Sequence, residues 1–152
     1  MEFWFSEKQT KDVKFSIRVD RQLYSGYSDY QRIDVFESPE FGRFLTLDGY
    51  MMLTEKDEFI YHEMITHIPM AVHPDPKRIL VIGAGDGGVV RELVRYPEVE
   101  RIDLVEIDQM VVEISKKYLP TTAGELDNER VHIYYEDGLK FIRRCRDAYD
   151  LI

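Results

Sequence analysis

Ile79-Leu80-Val81-Ile82-Gly83-Ala84-Gly85-Asp86-Gly87-Gly88-Val89-Val90-Arg91-Glu92 decides the fold. Four consecutive apolar residues run into a glycine cluster, and a helical pattern follows. An unbroken apolar run is the signature of a parallel strand buried on both faces. Glycines after such a strand permit positive φ and let a ligand approach the backbone with no Cβ in the way. The spacing G-x-G-x-x-G over Gly83, Gly85 and Gly88, with Gly87 between, is shared by NAD enzymes, flavin enzymes and methyltransferase-like folds.

Downstream of this loop the pattern repeats as βαβαβα. Strands are predicted at Arg78–Ile82, Arg101–Ile107 and Arg130–Glu136. Helices are predicted at Gly87–Tyr96 (stopped by Pro97), Asp108–Leu119 (ended at Pro120) and Gly138–Arg146. Tyr149-Asp150-Leu151-Ile152 reads as the start of a fourth strand, and in a doubly wound sheet the strand order reverses beside the first strand. A first strand with nothing beyond this stub would leave apolar surface at an edge. The expectation is that residue 152 is not a natural end and that residues 1–152 alone do not turn over substrate.

Upstream the period changes. Lys14–Val19, Arg32–Glu37 and Phe44–Leu47 alternate as antiparallel strands, and Asp48-Gly49 before Tyr50–Leu53 is a two-residue hairpin signal. Ser38–Gly42 supplies another turn. Thr54 and Asp57 fit a capping box opening a helix from Glu55 to Met70. Phe59, Ile60, Met64 and Ile68 form its apolar side, and Pro69 kinks or ends it. The expected organisation is an antiparallel β-domain over residues 1–53, a connecting helix and linker over 54–76, and the first half of a Rossmann-like α/β domain over 77–152.

Composition bounds the function. Of 152 residues, 44% are hydrophobic and 32% charged, in the globular range, and no apolar run approaches the ~20 residues that span a bilayer. The N-terminus carries no secretory signal pattern. Cys145 is the only cysteine, which excludes an intrachain disulfide and fits a reducing cytoplasm. Arg144 and Arg146 flank it in sequence, a basic setting that suits a reactive thiol, although a packing cysteine is the plainer reading. Asp and Glu number 29 against 20 Lys and Arg, a net charge of −9. That balance argues against nucleic acid. It admits a cationic small substrate, and equally a merely acidic surface.

Three carboxylates separate the possibilities that the loop leaves open. A dinucleotide lays its pyrophosphate on the helix N-terminus, where Asp86 would compete for the same donors. Asp86 suits a phosphate-free and preferably cationic ligand; alternatively it only caps the helix at Gly87. Glu106 ends the second strand 18 residues after Gly88, where an acid accepts ribose hydroxyls, unless it is a solvated strand-end charge. Asp137-Gly138 ends the third strand. A carboxylate there can accept from an adenine amino group, but a bare Asp-Gly is as readily a turn or cap. All three are placed at the carboxyl ends of parallel strands, where open α/β sheets bind ligands.

Ile79–Glu92, preceded by Glu55-Lys56-Asp57-Glu58-Phe59-Ile60-Tyr61-His62-Glu63-Met64, resembles the polyamine aminopropyltransferases of the bacterial spermidine synthase type. Trp4-Phe5-Ser6-Glu7, Leu47-Asp48-Gly49, Asp137-Gly138 and Tyr149–Ile152 fit in the same order, and Ala84 stands where the family has Gly. The resemblance implies aminopropyl transfer from decarboxylated S-adenosylmethionine, a co-substrate, to putrescine, with no metal and no resident cofactor. It implies that Gln31, Glu106, Asp137 and Gly138 hold the nucleoside beside the loop of Gly83, Gly85 and Gly87. His62 and Asp86 would lie against the amine ends, with Tyr61 in the wall between the substrates. It further implies homodimers or homotetramers contacting through the N-terminal sheet.

Without the resemblance, Gln31 is an ordinary strand residue and Tyr61 a core-edge aromatic. His62 shares a stripe with Glu58 and Thr66 and reads as solvated. The family's catalytic acids follow the strand that begins at Tyr149, so no residue here is assigned as general base. The rival readings are a methyltransferase using intact S-adenosylmethionine and a non-catalytic polyamine or nucleoside binder. An NAD dehydrogenase fits Asp86 poorly.

Overall fold

The computed structural model describes residues 1–145 and 148–152. They form two compact units, Met1–Glu58 and Phe59–Ile152. The division falls at the start of the helix expected to be a connector, so the helix and the His73–Pro76 stretch belong to the second unit.

The first unit is antiparallel throughout. Strands β1 (Phe3–Lys8) and β2 (Lys14–Val19) pair as one hairpin, and β3 (Arg21–Tyr27), β4 (Arg32–Ser38), β5 (Gly42–Leu47) and β6 (Tyr50–Thr54) form a meander in that order. Asp48 and Gly49 both have positive φ, 52° and 81°, as the predicted hairpin turn requires. Phe5, Ile17, Val19, Phe36 and Phe44 make the core of this unit. Strands β1 and β3 carry weaker alternation than their partners and were not expected; each gains its place by pairing with a strongly patterned neighbour.

The second unit opens with α1 (Glu58–Val72), which starts three residues later than predicted. Thr54 remains in β6 opposite Phe44, and its hydroxyl donates to Asp57 Oδ1 at 2.6 Å, so the expected cap is a turn contact instead. Pro69 does not end the helix. Its missing N–H costs only the bond to the Ile65 carbonyl, and His73 N–H closes on the Pro69 carbonyl. The exposed face is also reversed: Phe59, Ile60, Met64 and Ile68 are 46–58% exposed, whereas His62, Thr66 and Met70 are buried.

Strands β7 (Arg78–Ile82), β8 (Arg101–Glu106) and β9 (Val131–Tyr135) are parallel and neighbour in that order. Helices α2 (Gly88–Leu93) and α3 (Gln109–Tyr118) pack Val90, Leu93 and Val112 on Ile79, Ile102 and Leu104. On the opposite face α5 (Gly138–Arg144) sets Phe141 against Leu80 and Val105. This two-sided burial explains the unbroken apolar run. Leu151 bridges Ile79 in parallel, on the side of β7 away from β8, which puts the reversal of strand order at β7.

Element ends differ from the sequence pattern where side chains intervene. α2 stops at Leu93, and beyond its end Arg130 takes the carbonyls of Val94, Tyr96 and Val99. Pro120 opens a further short helix, α4 (Pro120–Ala123), as its fixed φ favours. The expected end of the last helix at Arg146 lies outside the described residues.

Candidate functional site

The glycine loop joins β7 to α2 across the carboxyl edge of the parallel sheet. Gly83 has φ +73°, and a Cβ there would meet nothing within 4 Å, so this glycine is demanded by backbone conformation and faces open space. Gly85 is favoured by closeness: a Cβ would lie 3.1 Å from Glu106 Oε2 and 3.0 Å from Val111, tight enough that these neighbours would have to give by a few tenths of an ångström. Gly87, at φ +83°, would put a Cβ 2.8 Å from Ala123 Cα. Three glycines in one loop therefore serve three different physical ends.

Glu106 is buried, and both its oxygens receive backbone N–H groups. Oε2 accepts from Gly85 at 3.1 Å and Oε1 from Asp108 at 3.0 Å. It ties the end of β8 to the loop after β7. Asp108, expected to open α3, is its N-cap and accepts from Met110 N–H.

Asp86 is not the N-cap residue of α2; Gly87 is. Its Oδ1 nonetheless accepts from Gly88 N–H at 2.8 Å, and the same oxygen lies 3.2 Å from His62 Nε2. Burial pushes the carboxyl pKa up, but the hydrogen bonds from His62 and Gly88 and the pull of His62's charge outweigh it. Asp86 is held below the usual carboxylate range.

His62 is 3% exposed rather than solvated. Its imidazole packs on Gly88, where a Cβ would fall 2.2 Å from Cε1. Gly88 thus admits the ring that reaches Asp86, a role that the loop pattern alone did not suggest. The ring of Tyr61, its own side chain exposed, stands edge-on to His62 with centroids 5.4 Å apart.

Tyr61, His62, Gly83, Ala84 and Asp86 line one cavity of about 220 Å³ between α1 and β7. Its deeper wall is apolar, with Met70, Ile79 and Leu93, except for Thr66. The Thr66 hydroxyl is buried and has no hydrogen-bond partner among the described residues. Its spacing of i+4 from His62 was the only sequence signal for this placement.

Asp137 and Gly138 close β9 on the same sheet edge. Asp137 Oδ1 accepts from Leu139 N–H at 2.8 Å and Lys140 N–H at 3.1 Å, which makes it the N-cap of α5. Gly138 admits Ile82, whose Cγ2 would be 2.4 Å from an added Cβ. The three carboxylates therefore share one edge of the sheet, but only Asp86 lines the cavity. Gln31 lies in the first unit, partly buried, at the end of a Ser28–Gln31 turn leading into β4. Cys145 is half-buried and its thiol points to the Phe141 carbonyl at 3.4 Å, a packing arrangement.

Two family models match this chain in order. The spermidine synthase tetramerisation domain matches residues 3–55, and the spermine/spermidine synthase domain matches residues 58–152. The chain belongs to the spermine/spermidine synthase family.

The family's curated members give the same result along the whole chain. The polyamine aminopropyltransferase of Alkaliphilus oremlandii is 68% identical over all 152 residues, which make up 54% of that protein. That of Clostridium botulinum strain Alaska E43 is 66% identical with the same coverage. The crystal structure of spermidine synthase from Thermotoga maritima superposes with a TM-score of 0.96 at 43% identity, over 98% of this chain and 53% of that one. A crystal structure of spermidine synthase with the transition-state analogue AdoDATO gives the same score and identity, over 98% of this chain and 52% of that one. The chain spans about half the length of the curated relatives it matches.

Proposed function

We propose that this chain supplies the nucleoside- and amine-facing part of an aminopropyltransferase. The reaction moves the aminopropyl group of decarboxylated S-adenosylmethionine to putrescine, giving spermidine and methylthioadenosine. The observation that carries the reading is a partly buried Asp86 carboxylate beside His62 in a cavity at the mouth of a glycine loop. A carboxylate there repels a pyrophosphate and attracts a cation, so a sulfonium nucleoside fits where a dinucleotide does not.

In the proposed step an amine nitrogen attacks the carbon next to the sulfonium. The carbon–sulfur bond breaks, its electron pair stays on sulfur as a neutral thioether, and the amine proton passes to a base. The leaving group is already good; the protonated amine is the difficulty. A carboxylate base contributes on the order of 10²–10⁴. Alignment of nitrogen, carbon and sulfur in a dry slot supplies up to about 7–11 kcal/mol. Asp86 and His62 fix an ammonium end, and Tyr61 stands at the wall between the substrates. Gln31, Glu106, Asp137 and Gly138 hold the nucleoside. Glu106 also braces the loop, through Gly85 N–H. No residue of this chain is assigned as the general base.

Assembly into dimers or tetramers through the N-terminal sheet is part of the proposal, supported by the tetramerisation-domain match over residues 3–55. Light scattering after size exclusion measures it. The substrate class is tested by calorimetry with methylthioadenosine, S-adenosylhomocysteine, NAD and putrescine. Methylthioadenosine is expected to bind. Preference for S-adenosylhomocysteine would instead indicate a methyltransferase, and binding of NAD would overturn the argument from Asp86.

A further inference from the structure

Asp86 offers one negative charge to the cavity, and His62 already claims it. The His62 Nε2 to Asp86 Oδ1 distance is 3.2 Å, the imidazole is almost wholly buried, and Gly88 N–H occupies the same carboxylate oxygen. The other groups around the imidazole are Tyr61 at its edge and, on its own helix stripe, Glu58 one turn before and Thr66 one turn after. From the α2 side it meets Asp86 and the Gly88 backbone.

We propose that His62 is a charge-exchange partner for the ammonium group of the ligand: the site holds a proton on His62 or an ammonium on Asp86, but not both. The inference rests on the reading that Asp86 receives an ammonium. Among the described residues Asp86 is the one carboxylate that lines the cavity, Glu58 lying outside its lining; one carboxylate neutralises one cation, and a second cation beside it in a partly enclosed cavity carries an uncompensated desolvation cost. Protonated His62 strengthens its own bond to Asp86 and competes with the incoming amine. Neutral His62 still donates Nε2–H to Oδ1, keeps the carboxylate oriented, and leaves Oδ2 for the ammonium. In both states Asp86 Oδ1 keeps the hydrogen bond from Gly88 N–H.

Linkage sets the direction. Where His62 is protonated in the free protein, amine binding releases its proton, and affinity rises with pH by up to about tenfold per unit. Where His62 is neutral in the free protein the affinity is flat. A nucleoside without an amine shows neither effect.

The test is calorimetry on the full chain with decarboxylated S-adenosylmethionine and with methylthioadenosine, between about pH 5.5 and about pH 8.5, at each pH in two buffers that both buffer there and differ in ionisation enthalpy. The expected result is proton release with the first ligand at the acid end and none with the second. His62→Gln keeps a donor to Asp86 without a titrating proton, so it is expected to bind the amine ligand with pH-independent affinity and no release. Equal proton counts for the two ligands overturn the proposal, as does undiminished release in His62→Gln. The wild-type comparison decides by itself if the variant fails to fold. If methylthioadenosine does not bind at any pH, the nucleoside reading falls and this inference with it. If it binds normally while the proton counts match, only this inference falls.

Discussion

Gly88→Ala tests the geometry of the site most directly. The added Cβ would lie 2.2 Å from His62 Cε1, 2.3 Å from Nδ1 and 2.5 Å from Cγ. The backbone of Gly88 needs no positive φ, so the substitution is conformationally tolerable and its effect is steric. Its N–H also remains, so the bond to Asp86 Oδ1 is retained. The ring must therefore leave, and the contact to Asp86 goes with it. Overpacking in a tight core costs about 1–3 kcal/mol. Leaving the partly buried Asp86 carboxylate with one donor fewer costs up to about 1–3 kcal/mol more. Alanine recovers up to about 0.5–1 kcal/mol over glycine in the helix. The net expectation is a loss of about 1–5 kcal/mol in urea unfolding, together with weaker binding of any amine-bearing nucleoside. Truncating the ring, His62→Ala, removes the clash, so Gly88→Ala adds little in that background. The double-mutant cycle is expected to show coupling above about 0.5 kcal/mol. Strict additivity of the two substitutions would refute the packing argument.

Other expectations follow from the same side chains. Asp86→Asn removes the charge but keeps the shape, so the dissociation constant of decarboxylated S-adenosylmethionine should rise far more than that of methylthioadenosine; equal losses would remove Asp86 from the amine end. Glu92 is buried, and although burial raises its pKa, hydrogen bonds from Arg95 and Arg91 outweigh this and hold it below the ordinary carboxylate value. The unfolded chain then takes up its proton at higher pH than the folded one. Its stabilisation is whole above an ordinary pKa of about 4 and is lost as pH falls further toward the depressed folded value. Urea midpoints between pH 7 and pH 3 on the laboratory scale should fall less steeply for Glu92→Gln, and parallel curves would disprove the assignment. Tyr149 donates its hydroxyl to buried Asp103 at 2.6 Å, and Arg101 bonds the same carboxylate. Tyr149→Phe should cost about 1–3 kcal/mol in the same assay, since it leaves that carboxylate short of a donor; no change in midpoint would show the bond to be idle.

Much of the site was legible because its parts are local. The run Arg78–Ile82 followed by four glycines announces a buried parallel strand and a ligand loop within a few residues. Asp48-Gly49 carries its own turn chemistry, and Asp108 its own cap. The spacing from Gly88 to Glu106 follows from one βαβ unit. What was misread concerns partners distant in sequence. The helix pattern pointed Phe59, Ile60, Met64 and Ile68 inward, yet the buried stripe is His62, Thr66 and Met70. Gly88 opens space for an imidazole 26 positions earlier in the chain. For Glu106 and Asp137 the sequence leaves a ligand contact and a backbone role open; in the structure both carboxylates accept backbone N–H groups.

Residue order alone determined the alternation of strands and helices, the placement of the loop, and the carboxyl edge on which Asp86, Glu106 and Asp137 meet. These follow from periodicity and from what glycine and aspartate permit the nearby backbone to do. Only the tertiary structure decided which face of α1 is buried, which loop glycine receives a side chain, and that Asp86 shares its charge with His62. Those outcomes depend on close packing between elements far apart in sequence, where a single Cβ separates contact from collision.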